Sequence, residues 1–258
     1  MAKIQLPAEF KGFSEKFDAL AYGQDDSKVF DDMLTFIIDL FSFDNPWKPN
    51  GHYAKIENLR ERFFGLFQEI VLLMNAKIRN PKDWYDSFGN LYEMQIASKG
   101  RLANAGQFFT PENVVDLMDD ILYAGEDMTG KGLRFSDPTC GSGRNLIAMH
   151  AKHPGNYCCG EDIDRTCALM TVCNFILHGV NGEVIWHDSL MPTKDHFYGA
   201  WRVRPRPDLL GIPEVSKMEW EDTLCYAVWE SRRIKADPAK TSESPAAEAP
   251  QIVQLNLF

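Results

Sequence analysis

Between Leu133 and Asp188 the chain repeats one pattern: a short apolar run, a tight turn, a helical stretch and another short apolar run. "LRFSD", "NYCCGEDI" and "GEVIWHD" read as strands, while "GRNLIAMHAK" and "RTCALMTVCNFILHG" read as helices, the second stopped by Gly179. Strands separated by helices pair in parallel, because only a crossover of that length returns the chain to the same end of a sheet. This alternation therefore demands an α/β core. The N-terminal part reads differently. "VFDDMLTFIIDLF" and "LRERFFGLFQEIVLLMNAKI" carry apolar residues at helical spacing, so both are expected to be amphipathic helices. A third helix is expected to start with Asn80 as its cap, Pro81 in the first turn and Asp83 on the positive end of the dipole. Its apolar side would hold Trp84, Phe88, Leu91 and Tyr92. Helical spacing marks these rings as core rather than as a base-stacking surface.

The expected organisation is a helical domain over 1–100, an α/β domain over 101–234 and a tail over 235–258. Thr110, Pro111 and Glu112 begin the first helix of the second part. "WRVRPRPDLLGIP" is broken by proline and glycine and reads as loop, and "WEDTLCYAVWESRRI" as a last helix. From Ala236 to Pro250 the composition is Ala, Pro, Ser, Glu, Lys and Thr with one Asp. Too little apolar surface is available there to offset the ordering entropy, so disorder is expected.

The chemistry concentrates at the strand ends. In "FSDPTCGSGRN" a strand ends at Asp137, a turn holds Gly141 and Gly143, and a helix begins. Glycines permit positive φ and close approach of a ligand to the backbone, and a helix N-terminus offers free N–H donors. The next strand ends in "GEDID", where Asp162, or Glu161 as a substitute, can accept from both hydroxyls of a ribose. The third ends in "HDS", where Asp188 can accept from the amino group of an adenine. Three successive strands ending in carboxylates suit an adenosine-containing ligand. The turn lacks the lysine of a phosphate-binding loop and the spacing of a dinucleotide fingerprint. A nucleoside without a phosphate chain fits better, and S-adenosylmethionine is the candidate cofactor.

A net charge of -10 argues against broad, sequence-blind binding to nucleic acid, which rests on phosphate neutralisation. The six cysteines form no C-x-x-C pair and no cluster at zinc spacing, so reduced thiols and no metal are expected. No apolar run approaches the ~20 residues of a membrane span. "MAKIQLPAEF" lacks the apolar region of a signal peptide, so a cytoplasmic protein is expected.

The ordered motifs "GQFFTP", "DPTCGSG", "GEDID" and "HDSL" resemble the amino-adenine-specific DNA methyltransferases, above all the modification subunits of type I restriction systems. The resemblance covers residues 25–200. It implies a Rossmann-like S-adenosylmethionine-dependent core preceded by a helical domain, with DNA as substrate and a partner subunit for specificity. It also implies that Phe108, Phe109, Thr110 and Pro111 line the cofactor's methionine end. Asp137, Pro138, Cys140, Gly141, Ser142 and Gly143 would form the cofactor loop. Asp162 would hold the ribose and Asp188 the adenine. One element departs from the family. Its fourth strand ends in Asn/Asp-Pro-Pro-aromatic, which accepts from the target amino group and stacks on the flipped adenine. "HDSLMPTKDHFYGAWRVRPRPDLL" contains no such tetrapeptide, and the chain beyond it is short for a full sheet. Asn45, Pro46 and Trp47 offer a partial substitute, although the residues before them look helical. Two functions stay open: an adenine-specific DNA methyltransferase, or a catalytically degenerate cofactor-binding module associated with DNA.

The chain ends "QIVQLNLF". Gln254, Leu255, Leu257 and Phe258 resemble the short peptide with which bacterial replication and repair proteins dock on the sliding clamp. The resemblance implies that the glutamine makes polar contacts while the apolar residues fill a groove. A fold-back of this segment as an edge strand is the alternative.

Overall fold

The computed structural model describes residues 7–42, 57–96, 109–123, 125–236 and 252–254. Its N-terminal part is helical: α1 (Lys11–Ala21), α2 (Asp26–Leu40), α3 (Leu59–Lys77) and the short α4 (Ser87–Leu91), which runs into one π-helical turn at Tyr92–Ile96. Asp25 caps α2 by accepting from the Ser27 N–H. Helix α5 (Glu112–Tyr123) leads into the alternating region. There β1 (Arg134–Asp137), α6 (Arg144–Lys152), β2 (Tyr157–Asp162), α7 (Arg165–His178) and β3 (Gly182–His187) follow in the expected order. β1, β2 and β3 pair in parallel, with Asp137 level with Gly160 and Asp162 level with Trp186. The architecture is a Rossmann-like α/β core preceded by helices.

The second half of the sheet corrects the reading of "WRVRPRPDLLGIP" as loop. Phe197–Arg206 forms β4 and Ile212–Met218 forms β5, both antiparallel to their neighbours. Only residues 188–196 connect β3 to β4. That is too short for a crossover, so the chain must reverse direction. Within β4 the Arg202 and Arg204 side chains stay toward solvent while Val203 is buried. Pro205 is tolerated opposite Pro213, near the end of the outermost ladder, where a missing donor costs least.

Helix α8 (Leu224–Ala236) covers one face of the sheet. Last comes β6 (Ile252–Gln254), which adds in parallel to the free edge of β1, Gln254 level with Ser136. The described sheet order is β5-β4-β3-β2-β1-β6. Ile252–Gln254 thus take the edge-strand fold-back given as the alternative for this segment, while the stretch expected to be disordered lies, past Ala236, outside the described residues. The hydrogen-bonding edge of a central parallel strand is open to any extended segment that reaches it.

A second correction concerns the third helix. Asn80–Asp83 is a turn, in which the Asp83 carboxylate accepts from the Arg79 and Asn80 N–H groups. The helix starts at Ser87, capped by Asp86 through the Gly89 N–H. The main hydrophobic cluster runs from Phe10 in the helical part through Phe30, Phe88 and Phe175 to Val215 in β5. Among the described residues no helix is long and apolar enough to cross a membrane.

Candidate functional site

The glycine turn between β1 and α6 is built as its residues require. Gly141 and Gly143 have φ of 58° and 80°, the left-handed region that costs other residues energy. A Cβ on Gly141 would meet the Phe109 ring at 2.9 Å, and one on Gly143 would meet Thr171 at 2.8 Å. The turn is thus wedged between the Phe109 ring and α7. Asp137 is buried at the strand end, where it accepts from Asn145 Nδ2 at 3.0 Å and the Thr139 N–H at 3.1 Å. Burial raises its pKa. Cys140 is also buried, and its N–H donates to the Glu161 carbonyl across to β2.

Asp162, at the tip of β2, faces this turn. One carboxylate oxygen accepts from the Gly141 N–H at 2.9 Å and the other from the Asp164 N–H at 2.8 Å. Burial pushes its pKa up to about 6, against the pull of those two donors. Asp188 follows the end of β3 and accepts from the Leu190 N–H at 3.0 Å. Around these carboxylates Ile163 and Leu190 stand 62% and 91% exposed, an apolar rim beside polar acceptors. Asp137, Asp162 and Asp188 therefore sit at the C-terminal ends of three adjacent parallel strands, where open α/β sheets bind ligands.

Thr110 and Pro111 lie close by, because the Thr110 carbonyl accepts from Arg144 Nη1 at 2.7 Å. The Arg144 guanidinium also lies over the Phe109 ring, 5.6 Å from its centroid. Ser142 points inward, away from the ligand side, and donates to the Asp86 carboxylate. Phe108 and the candidate set Asn45, Pro46 and Trp47 fall outside the described residues, as do Leu255, Leu257 and Phe258.

One network escaped the sequence reading. Asp86 is fully buried and accepts from the Gly89 N–H at 2.8 Å, Arg144 Nε at 2.8 Å and Asn174 Nδ2 at 2.7 Å, besides Ser142. Arg144, 5% exposed, reaches in turn toward Asn90 and Glu93. A single carboxylate thus ties α4, the glycine turn and α7 together. The only local signal was Asp86 three residues before Gly89, a helix-cap spacing. Its distant partners leave no such mark.

Comparison with known proteins gives the following. Residues 83–204 match the model of a family described as N-6 DNA methylase. Two methylase subunits of type I restriction enzymes from Methanocaldococcus jannaschii are similar. The MjaVII subunit is 28% identical over 124 residues, covering 46% of this chain and 20% of the subunit. The MjaVIII subunit is 30% identical over 117 residues, covering 43% and 19%. The chain therefore matches about a fifth of the length of these relatives. Among solved structures, a class I S-adenosylmethionine-dependent methyltransferase from Listeria monocytogenes aligns with TM-score 0.39 and 11% identity, covering 71% of this chain and 54% of that one. A type I restriction-modification methyltransferase subunit from Streptococcus thermophilus aligns with TM-score 0.32 and 23% identity, covering 68% and 38%. Residues 83–204 thus match the N-6 DNA methylase family model, and this stretch is similar to the methylase subunits of type I restriction enzymes.

Proposed function

We propose that this protein binds S-adenosylmethionine at the tips of β1, β2 and β3 and serves methyl transfer to the exocyclic amino group of adenine in DNA. The observation that carries the reading is the row of three carboxylates beside a positive-φ glycine turn, inside the segment that matches the family. The residues present fit the cofactor. Asp162 keeps lone pairs for hydroxyl donors, Asp188 lies one strand further for the amino group, and Ile163 and Leu190 offer apolar surface to a purine. Phe109, held by Gly141 and Arg144, would border the methionine end, with Phe108, Thr110 and Pro111. When bound, the cofactor supplies an electrophilic methyl group. The chain's own part is to orient it, so positioning dominates the catalysis.

A second reading is favoured by one observation. The strand after β3 is an antiparallel hairpin arm without Asn-Pro-Pro-aromatic. On this reading the chain is a catalytically degenerate cofactor-binding module that associates with DNA and regulates; on the first reading a partner chain would complete the acceptor site and supply DNA specificity. Asn45, Pro46 and Trp47 are the candidate acceptor residues within the chain. The proposed organisation is three-part, with residues 1–100 helical, 101–234 cofactor-binding and 235–258 a tail docking on a bacterial sliding clamp in the cytoplasm.

The test incubates the full chain with radiolabelled S-adenosylmethionine and mixed DNA. Label in N6-methyladenine, lost in Asp162→Ala, supports the enzyme. Cofactor binding by calorimetry without transfer supports the module. Absence of both removes the proposal.

A further inference from the structure

A different cluster lies on the sheet face covered by α8. Glu161 stands near the end of β2, His187 ends β3 and Cys225 sits in the first turn of α8. One ligand-capable atom from each lies within 4.8 Å of the other two. The His187 ring is fully buried, with Nε2 2.7 Å from Glu161 Oε2. Its Nδ1 is buried without a hydrogen-bond partner among the described residues, an unusual state for a buried polar atom.

The third ligand is presented by a fixed helix start. Glu183, buried beneath it, accepts the Leu224 N–H, and the Thr223 hydroxyl accepts the Tyr226 N–H at 3.1 Å. A cavity of about 220 Å³ adjoins the cluster, lined by Glu161, Cys225, Ser136, Ser189, Trp229 and Arg232. This exceeds the volume one water needs, and the lining is partly polar.

The donor set discriminates among cations. Calcium and magnesium take oxygen ligands. One sulfur, one imidazole nitrogen and one carboxylate oxygen suit a borderline-soft, four-coordinate ion such as zinc. A thiolate and a carboxylate also balance the charge of a divalent ion in a buried place, where unpaired charge is costly. We propose that Glu161, His187 and Cys225 form a zinc site that pins α8 to the sheet, with a water from the adjoining cavity as fourth ligand. On loading, the Cys225 S–H proton passes to solvent as the sulfur–metal bond forms. The ligands come from three elements and are separated by 26 and 38 positions in the chain, so no sequence spacing could reveal them.

The test uses the full chain stripped with chelator, then titrated with zinc against a chromophoric competitor, and separately with cobalt. The expected result is about one zinc per chain and a cobalt spectrum with a thiolate charge-transfer band. Cys225→Ser should remove that band, and it and His187→Gln should each weaken zinc at least about tenfold, with circular dichroism checking the fold. The cobalt spectrum of the unaltered chain keeps the test decisive if a variant fails to fold. A buried Glu–His pair beside an uninvolved thiol predicts no stoichiometric zinc and no thiolate band, and either result overturns the proposal. Zinc uptake unchanged in both variants overturns it as well. No readout depends on S-adenosylmethionine or DNA, so this outcome is independent of the function proposed above.

Discussion

Asp162 shows how one residue can be tuned by where it is placed. Burial lifts its pKa from 3.8 to about 6, and the two N–H donors on its oxygens only partly oppose this. Between those values the folded chain holds a proton that the unfolded chain has released. This group therefore loses the fold stability as pH rises through that window. Ligand binding should run the other way, because a ribose needs the charged acceptor. Affinity for S-adenosylmethionine is expected to fall as pH drops below about 6, and Asp162→Asn should flatten that profile while weakening binding roughly tenfold or more. Calorimetry from pH 5 to 8 checks both, and an unchanged profile in the variant would sink the assignment. The glycine beside it is constrained in another way. Gly141→Ala forces a side chain into φ 58° and against Phe109. A cost of about 1–2 kcal/mol is expected from the backbone alone, read as a lower urea midpoint with unchanged slope. Both residues were legible in the sequence because turn glycines and strand-end acids are local signals.

Elements are joined here by buried polar groups more than by their own propensities. Asp86 caps α4 and also neutralises Arg144, whose side chain is 6% exposed. Asp86→Ala would leave that guanidinium buried without its main partner, at an expected cost of about 3–5 kcal/mol. Adding Arg144→Leu should recover part of the loss, and a double-mutant cycle by denaturant unfolding measures the coupling. Additive effects would show that the two act separately. The same network explains why the start of α4 was misread. Asn80, Pro81 and Asp83 are good helix-start residues, but Asp83 spends its carboxylate on closing a turn. Asp86, with partners 56, 58 and 88 positions away, decides where the helix begins. The β4–β5 hairpin was missed for a related reason. Alternating Trp201, Arg202, Val203 and Arg204 is a strand pattern, yet the prolines and glycine around it carry the stronger local signal for a loop. The order β1 to β3 was legible because its periodicity is repeated, whereas the antiparallel half depends on a connection length and a pairing partner.

At the scale of the whole molecule, β6 sets two demands on one segment. Ile252–Gln254 pairs along β1, and the proposed clamp peptide begins at Gln254. A peptide that lies in a clamp groove cannot keep its backbone bonds to β1 at the same time. Binding by the intact chain must therefore include the cost of undocking the strand, and the apparent affinity falls by the fraction of chains with the tail free. The free peptide 250–258 has no such cost. It is expected to bind bacterial clamp more tightly than the full chain, and each tenfold ratio corresponds to about 1.4 kcal/mol of docking on the sheet. Substituting Val253→Pro would put a residue that strands tolerate poorly in the middle of β6 and disfavour the pairing. It should bring the full chain toward the peptide's affinity while leaving the peptide itself nearly unchanged. Fluorescence anisotropy of a labelled peptide, competed by each full-length form, gives all three constants. Equal affinities for peptide and full chain would show that strand docking does not oppose release. No binding by the peptide would remove the clamp reading and leave β6 as a structural edge. Deleting residues 251–258 separates these ends independently. Loss of an edge strand uncovers the β1 ladder, so lower thermal stability and concentration-dependent association are expected if the strand is structural, whereas a tail that serves only as a tether can be removed without either effect.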